Sequence, residues 1–252
     1  MGRVGVTKKE NTIQLGLLEH SIREDLNERV ERRFGVMRPL KLVIENYPEG
    51  QEEWLSAGNH PNRPELGERK IPFAREVLIE QEDFMEDAPN KYYRLKPGGE
   101  VRLRYAYIVK CERVVKDQDG TVVEVRCTYD PATRSGSGPE SERKVKGTIH
   151  WVSATHAAQV EVRLYDRLFK DPNPAAAGSI ESALNPESLE VLRAAVEPSL
   201  RDAAPGERFQ FERNGYFCVD SVDSQPGMPV FNRTVTLRDT WAKIEAQALA
   251  GQ

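Results

Sequence analysis

Hydrophobic positions near the start of the chain fall at helical spacing. In NTIQLGLLEHSIREDLNERV, residues 11–30, Leu15, Leu18, Ile22 and Leu26 recur every three or four residues and form one apolar stripe. Asn11, with Gln14 three residues on, has the form of a capping box. The pattern predicts a helix of about five turns. After Phe34 the period changes. Short runs rich in β-branched and aromatic residues follow at 40–46, 75–81, 100–115, 121–130, 146–154, 159–169, 207–220 and 229–239, separated by Pro, Gly, Asn and Asp. Asp117–Gly120 reads as a tight hairpin turn between two of them. In VRLRYAYIVK the alternation has period two, which puts Val101, Leu103, Tyr105 and Tyr107 on one face and Arg102 and Arg104 on the other.

A second helix is predicted in 185–195, capped by Asn185 or Ser188, with Leu189, Leu192 and Val196 turned inward. Many short strands behind one helix predict a mainly β protein: a short N-terminal helical segment followed by two small β-barrels. The stretch RSGSGPESER, residues 134–143, reads as a mobile loop and a natural seam between the barrels. No internal repeat interrupts this picture.

Composition narrows the function. Charged residues make up 30% of the 252 positions, yet 38% are hydrophobic, enough for a real core. No apolar run approaches the roughly 20 residues of a spanning helix, and MGRVGVTKKEN has no apolar region of a secretory signal. Cys111, Cys127 and Cys218 are odd in number, far apart in sequence and without CxxC spacing, which argues against a disulfide framework or a zinc site. A reducing cytoplasm is expected.

The usual catalytic motifs GxSxG, HExxH and GxxxxGK[ST] are absent. Among the histidines, His150 and His156 could suggest a metal pair, but six residues along a strand separate them by about 20 Å at ~3.3 Å per residue. His150 reads as a core or surface strand residue, and no metal ligands are expected. The acidic stretch EVLIEQEDFMED, residues 76–87, reads as a solvated edge. Net charge is −4, but its distribution is uneven. Lys91, Arg94, Lys96, Arg102, Arg104, Lys110 and Arg113 face only Glu100 and Glu112 over that stretch, with Tyr92, Tyr93, Tyr105 and Tyr107 interleaved. Cations for phosphates and planar side chains for unstacked bases are what single-stranded RNA requires. A basic strand balancing the acidic segment before it would look the same.

Taken in order, GVTKKENTIQ, LEHSIREDLNE, KLVIENY, NHPNRPELG, EVRLRYAYIVKCERV, CTYDPATRS, KVKGTIHWVSATHA, VRLYDRLF, EPSLRDA, FQFERNGYFCVDS and PVFNRTVTLRDTWAK resemble the C-terminal part of the glutaminyl-tRNA synthetases, class I aminoacyl-tRNA synthetases. The resemblance runs from about residue 3 to residue 244. It implies the end of a helical stem-contact segment (1–33), a first anticodon-binding barrel (34–145) and a second (146–246), with C-terminal strands returning to the first. KGTIHWVSA becomes a structural strand of the second barrel.

The resemblance also implies roles. Arg32 matches the arginine at the middle anticodon base, Arg94 the one at the third and Arg102 the one at the first. Gln210 and Arg213 match the pair near the middle base and backbone, and Asn62 and Arg104 match further loop contacts. Lys8 and Lys9 fall where the family touches the inner corner of the tRNA, although KKEN departs there from the commoner KQDN. Tyr93 replaces the usual lysine before the third-base arginine. Implied partners are tRNA(Gln) and an N-terminal catalytic domain, in a cytoplasmic monomer. ATP and magnesium are expected in that catalytic domain and no cofactor in this chain, since HIGH-like and MSK-like signatures are missing. Archaeal/eukaryotic-type or non-discriminating glutamyl-tRNA synthetases share these barrels, and FQFERNGYFCVD and FNRTVTLRDTW favour the glutaminyl branch. A stand-alone RNA-binding protein built from ribosomal-protein-like barrels is the other alternative. A carbohydrate-binding module is disfavoured by the scattering of Trp54, Trp151 and Trp241.

Overall fold

The computed structural model describes residues 15–170 and 179–238. Helix α1 spans Leu15–Arg29. Only the C-terminal half of its predicted stripe is used. Leu26 and Val30 pack with Tyr216 and Val235, and Ile22 joins them at the edge. Leu15 and Leu18 are about half exposed. The proposed cap at Asn11 and Gln14 lies outside the described residues.

The strands build two strongly curled seven-stranded sheets and a separate ribbon. The first sheet runs β10 (Thr148–Ile149), β7 (Glu100–Leu103), β8 (Ile108–Lys116), β9 (Val122–Asp130), β3 (Pro39–Ile44), β6 (Glu76–Glu80), β11 (Val152–Ser153). The second runs β1 (Glu31–Arg33), β14 (Arg208–Phe211), β15 (Gly215–Val219), β16 (Val230–Val235), β12 (Ala158–Tyr165), β13 (Leu189–Val196), β2 (Gly35–Val36). The ribbon is β4 (Glu52–Gly58) with β5 (Glu68–Ala74), and it sends Leu55, Ala57, Ile71 and Phe73 into the core of the first sheet.

Each sheet is closed into a near-barrel by one short strap whose two halves sit on opposite edges. β1 pairs with β14 while β2, one residue further on, pairs with β13. In the same way β10 pairs with β7, and β11 pairs with β6. Between the halves lie Phe34 in one strap and His150 and Trp151 in the other, all buried. Closure needs backbones in tight approach, which explains a glycine in each. A Cβ on Gly35 would sit 2.7 Å from the Phe211 ring, and one on Gly147 would lie 2.1 Å from the Tyr93 carbonyl oxygen.

The two straps meet. His150 Nε2 lies 3.0 Å from the Gly35 carbonyl oxygen, and the Phe34 and Trp151 rings are 6.2 Å apart. KGTIHWVSA is therefore structural, but it closes the first barrel rather than belonging to the second. Conversely, residues 31–36 close the second barrel. β16 lies inside the second sheet, between β15 and β12.

Three further expectations are corrected. The predicted helix at 185–195 is strand β13, paired with β12 from Ala158↔Val196 to Tyr165↔Leu189. A continuous ladder outweighs a modest helical pattern, and Asn185 instead forms a turn, accepting the Glu187 N–H at 3.1 Å. Leu189 is 45% exposed and Leu192 half-buried, while Val196 is buried. The only helix in this region among the described residues is the single turn α2, Ile180–Ala183.

The run 100–115 is not one strand. It folds back at Arg104–Tyr107, where the Leu103 N–H donates to the Tyr107 carbonyl at 2.8 Å and Tyr105 adopts φ +64°. Tyrosine gives no turn signal; its ring is held by stacking on Phe34 at 5.8 Å. The turn at Asp117–Gly120 forms as expected, with Gly120 at φ +81°.

The segment 134–143 is neither seam nor free loop, because Arg102 holds it down. Finally, Cys111 and Cys127, distant in sequence, face each other across β8 and β9 as buried free thiols. No described helix is long and apolar enough to cross a membrane.

Candidate nucleic-acid interface

The turn between β14 and β15, residues 212–214, joins the second barrel to the first with three consecutive side chains. Glu212 forms an ion pair with Arg104 at 2.6 Å. Arg213, at φ +70°, donates from both terminal nitrogens to the two carboxylate oxygens of Asp83 at 2.5 Å, and its Nη1 lies 3.3 Å from His150 Nδ1. Asn214 donates to the Gly35 carbonyl and to Glu80, each at 2.9 Å.

Asp83 is fully buried, and Arg94 Nε lies 3.3 Å from its Oδ1, the oxygen that Arg213 Nη2 also reaches. Glu80 is also buried and accepts the N–H groups of Met37 and Arg38 at 2.8 and 3.0 Å. The stretch 76–87 is thus no mere solvated edge. Asp83 carries an arginine from each barrel, Arg94 and Arg213, and Glu80 beside it takes Asn214 of the same turn. Their alternation within β6 and the following turn hid this, because a buried acid looks like an exposed one until its partner is known.

Burial disfavours the charged form of Glu80, but hydrogen bonding to His150 and from the Arg38 and Met37 N–H groups outweighs it and holds the pKa below its ordinary value. Arg104 and Arg213 are also desolvated, yet Glu212 and Asp83 respectively raise them. For Arg32, burial dominates and lowers the pKa, with Tyr216, Glu212 and Tyr105 opposing. For Arg102, burial is the largest cause of the lowering, followed by the Arg143 charge.

The structure sorts the sequence-selected residues by what remains free on each. Arg94 spends Nε on Asp83 and Nη1 on the Glu82 carbonyl, and its side chain is 41% exposed. Arg104 is 42% exposed beside Glu212 and lies over the Tyr105 ring at 5.0 Å. Both leave donors facing solvent. Gln210 is the register partner of Arg32, and its Oε1 is buried without a donor.

Arg32 itself is buried, its guanidinium bound to the Val30 and Asn27 carbonyls and the Asn27 side chain. Carbonyl acceptors at a helix end suit an arginine well. Arg102 donates to the carbonyls of Thr133, Ser141 and Arg143 and so organises the 133–143 segment. Asn62 is exposed between the ribbon strands, its N–H donated to His60 Nδ1 at 3.1 Å. Lys8 and Lys9 lie outside the described residues.

Arg94, Arg104, Arg213, Gln210 and Arg32 are thus gathered along the seam between barrels. Arg102 and Asn62 stand apart from that group, on the 133–143 segment and near the end of α1. The basic run also divides. Lys110 and Arg113 pair with Glu112 and Glu45 on the outer surface. Tyr107 is buried with its hydroxyl on Glu53 at 2.6 Å, and Tyr92 donates to the Glu82 carbonyl, its pKa pushed up to about 12 mainly by burial. Tyr93 alone of the four is exposed. Among the described residues no three His, Cys, Asp or Glu side chains gather as metal ligands.

This pair of barrels, with arginines of both meeting over buried carboxylates, belongs to the anticodon-binding region of the class I tRNA synthetases for glutamate and glutamine. Family models described as "tRNA synthetases class I (E and Q), anti-codon binding domain" match residues 30–130 and 148–220. The chain is similar to the glutamine–tRNA ligase of Vibrio vulnificus, with 57% identity over 245 residues, 97% of this chain and 44% of the relative. It is also 56% identical over 242 residues to the glutamine–tRNA ligases of Cupriavidus metallidurans and of Escherichia coli, covering 42% and 43% of them. The chain therefore spans less than half the length of the curated relatives it matches.

Proposed function

We propose that this chain reads the anticodon loop of tRNA(Gln) for a glutamine–tRNA ligase, the step that selects the tRNA to which glutamine is attached. The observation that carries this reading is the convergence of Arg94, Arg104 and Arg213 from two barrels, with Arg94 and Arg104 keeping free donors at the seam. A guanidinium held by a buried carboxylate cannot swing, so its remaining N–H groups present one fixed pattern to a base edge or phosphate. The unpaired Oε1 of Gln210 suits the imino N–H of a uracil entering beside it. Arg32 and Arg102 act in this scheme by shaping the helix end and the 133–143 segment, and they contact RNA with donors not already engaged. Asn62, Lys8 and Lys9 are assigned further contacts with the tRNA.

Gly136 and Gly138 lead into a short 3-10 turn rather than a helix that could cradle phosphate. We assign nucleotide and amino-acid activation to the portion of the relatives outside this chain's span, acting with it as a cytoplasmic monomer.

Anisotropy titration tests the reading, with a labelled anticodon stem-loop of tRNA(Gln) and a copy altered at the middle base, at low and moderate salt. The native loop should bind more tightly at both salts. Gln210→Ala should reduce that preference roughly tenfold without changing the salt slope. Equal binding of both loops, weakening together with salt, would leave only phosphate attraction. Aminoacylation by the full-length enzyme checks the amino acid, and charging with glutamate would overturn the glutamine assignment.

A further inference from the structure

Beside Arg94 the first barrel carries a surface groove of about 360 Å³ that none of the proposed base readers other than Arg94 lines. Its walls include Tyr93, Lys96, Lys144 and Lys146, with Glu100 as its carboxylate. Elsewhere on this barrel Lys41 is paired with Glu76, Lys110 with Glu112 and Lys116 with Glu86. Lys96, Lys144 and Lys146 have no ion pair among the described residues, and Glu100 is taken by Arg143 at 3.1 Å. The groove therefore holds uncompensated positive charge.

Its aromatic wall is built to stay in place. Tyr93 is 51% exposed, an unusual position for a large ring. Its backbone is pinned against Gly147, where even a Cβ would come within 2.1 Å of the Tyr93 carbonyl oxygen. Lys146 Nζ stands over the ring, 5.6 Å from its centroid. A fixed exposed ring, a cation at its face and further unpaired lysines alongside match the two needs of a single-stranded nucleotide, a π-surface for the base and cations for its phosphate.

We propose that Tyr93, backed by Lys146, is a stacking platform for an unpaired nucleobase of the bound RNA loop, with Lys96 and Lys144 holding the flanking phosphates. This rests on the anticodon reading above and adds a contact of a different kind. Arg94 at the rim reads an edge, whereas the tyrosine accepts any base face. It also supplies a physical role for an aromatic residue where the family commonly has lysine: the cation is provided from the 144–146 segment instead.

The experiment uses this chain and anticodon stem-loops carrying 2-aminopurine at one loop position at a time. One position should show a large fluorescence change on binding. Tyr93→Ala should abolish that change and weaken binding roughly tenfold, whereas Tyr93→Phe, which keeps the ring, should behave as the parent. Lys96→Ala and Lys144→Ala should each lower the salt slope by about one. Tyr93 lies on the surface, so an unchanged unfolding midpoint verifies that its variants are folded. If Tyr93→Ala binds and fluoresces as the parent does, the groove gathers phosphates and stacks no base, and the inference fails while the anticodon reading stands. If the parent itself binds the loop no better than a fully paired duplex of equal length, the anticodon reading fails whatever Tyr93 does.

Discussion

The two straps close their barrels by the same topology and by opposite chemistry. The 148–153 strap is anchored by Trp151, which is 1% exposed, meets Phe73 edge-on at 5.0 Å and donates its indole N–H to the Arg104 carbonyl at 2.9 Å. The 31–36 strap is flanked by charge. Arg33 and, from the ribbon, Arg69 both face Glu197, at 3.2 and 2.8 Å, in a site where Glu197 is buried. The Glu197 N–H in turn donates to the Phe34 carbonyl. An aromatic anchor gains stability in proportion to what it buries. A buried ion triad holds only while every member is present, because removing one strands the others. One closure should therefore loosen by degrees and the other fail abruptly.

The largest expected effect comes from emptying the aromatic closure. Trp151→Ala should cost about 3–5 kcal/mol in denaturant unfolding, and Trp151→Phe markedly less; equal losses would deny graded behaviour. Next, Glu197→Gln should cost about 3 kcal/mol by leaving the buried Arg69 without a counter-charge and Arg33 with only the half-exposed Glu31. A loss under 1 kcal/mol would show that the triad does not secure the strap.

Glu80 lies where the straps and the inter-barrel turn meet, and its effect depends on pH. Its folded pKa is depressed from 4.5, so its stabilisation is complete above that value and is lost as pH falls through the depressed one. Glu80→Gln should lose about 1–2 kcal/mol at neutral pH and show a flatter stability curve below pH about 4.5. A variant curve parallel to the parent's would remove Glu80 from the acid response. The smallest effect sharpens the contrast within one strap. Glu31, which also pairs with Arg33, keeps 32% of its side chain exposed, so Glu31→Gln should change stability by less than about 1 kcal/mol.

Local signals carried the sequence reading where local physics decides. The helix 15–29, the turn at 117–120 and the mainly β character follow from periodicity and from Asp and Gly at a turn. The reading failed where distant partners decide. Residues 185–195 have helical spacing, but β12 offers them a ladder. Tyr105 turns the chain because Phe34 holds its ring. KGTIHWVSA shows both outcomes at once: its strand character and structural role were legible, but a strap that serves two edges of one sheet leaves no mark in a single run.

The candidate site divides in the same way. Cations and tyrosines between 91 and 113 pointed to RNA, and the family resemblance selected Arg94, Arg104, Gln210 and Arg213. Neither indicated that Asp83, Glu80 and Glu212 lie beneath them. The one usable hint was a dense acidic stretch just ahead of a dense basic one. Lys144 and Lys146 were missed because they reach the groove from a segment more than forty positions along the chain, where only the fold could bring them to Tyr93.

The turn at Glu212–Asn214 has a mechanical meaning. Its successive side chains grip the first barrel at separate points: Arg104 at the Arg104–Tyr107 bend, the buried Asp83, and Glu80. Three separate points of attachment resist rocking or twisting of one barrel on the other. On the proposed reading the barrels act as a single jig whose spacings are set before RNA arrives, so that a pliant loop conforms to it base by base and the ordering cost falls on the RNA rather than on the protein.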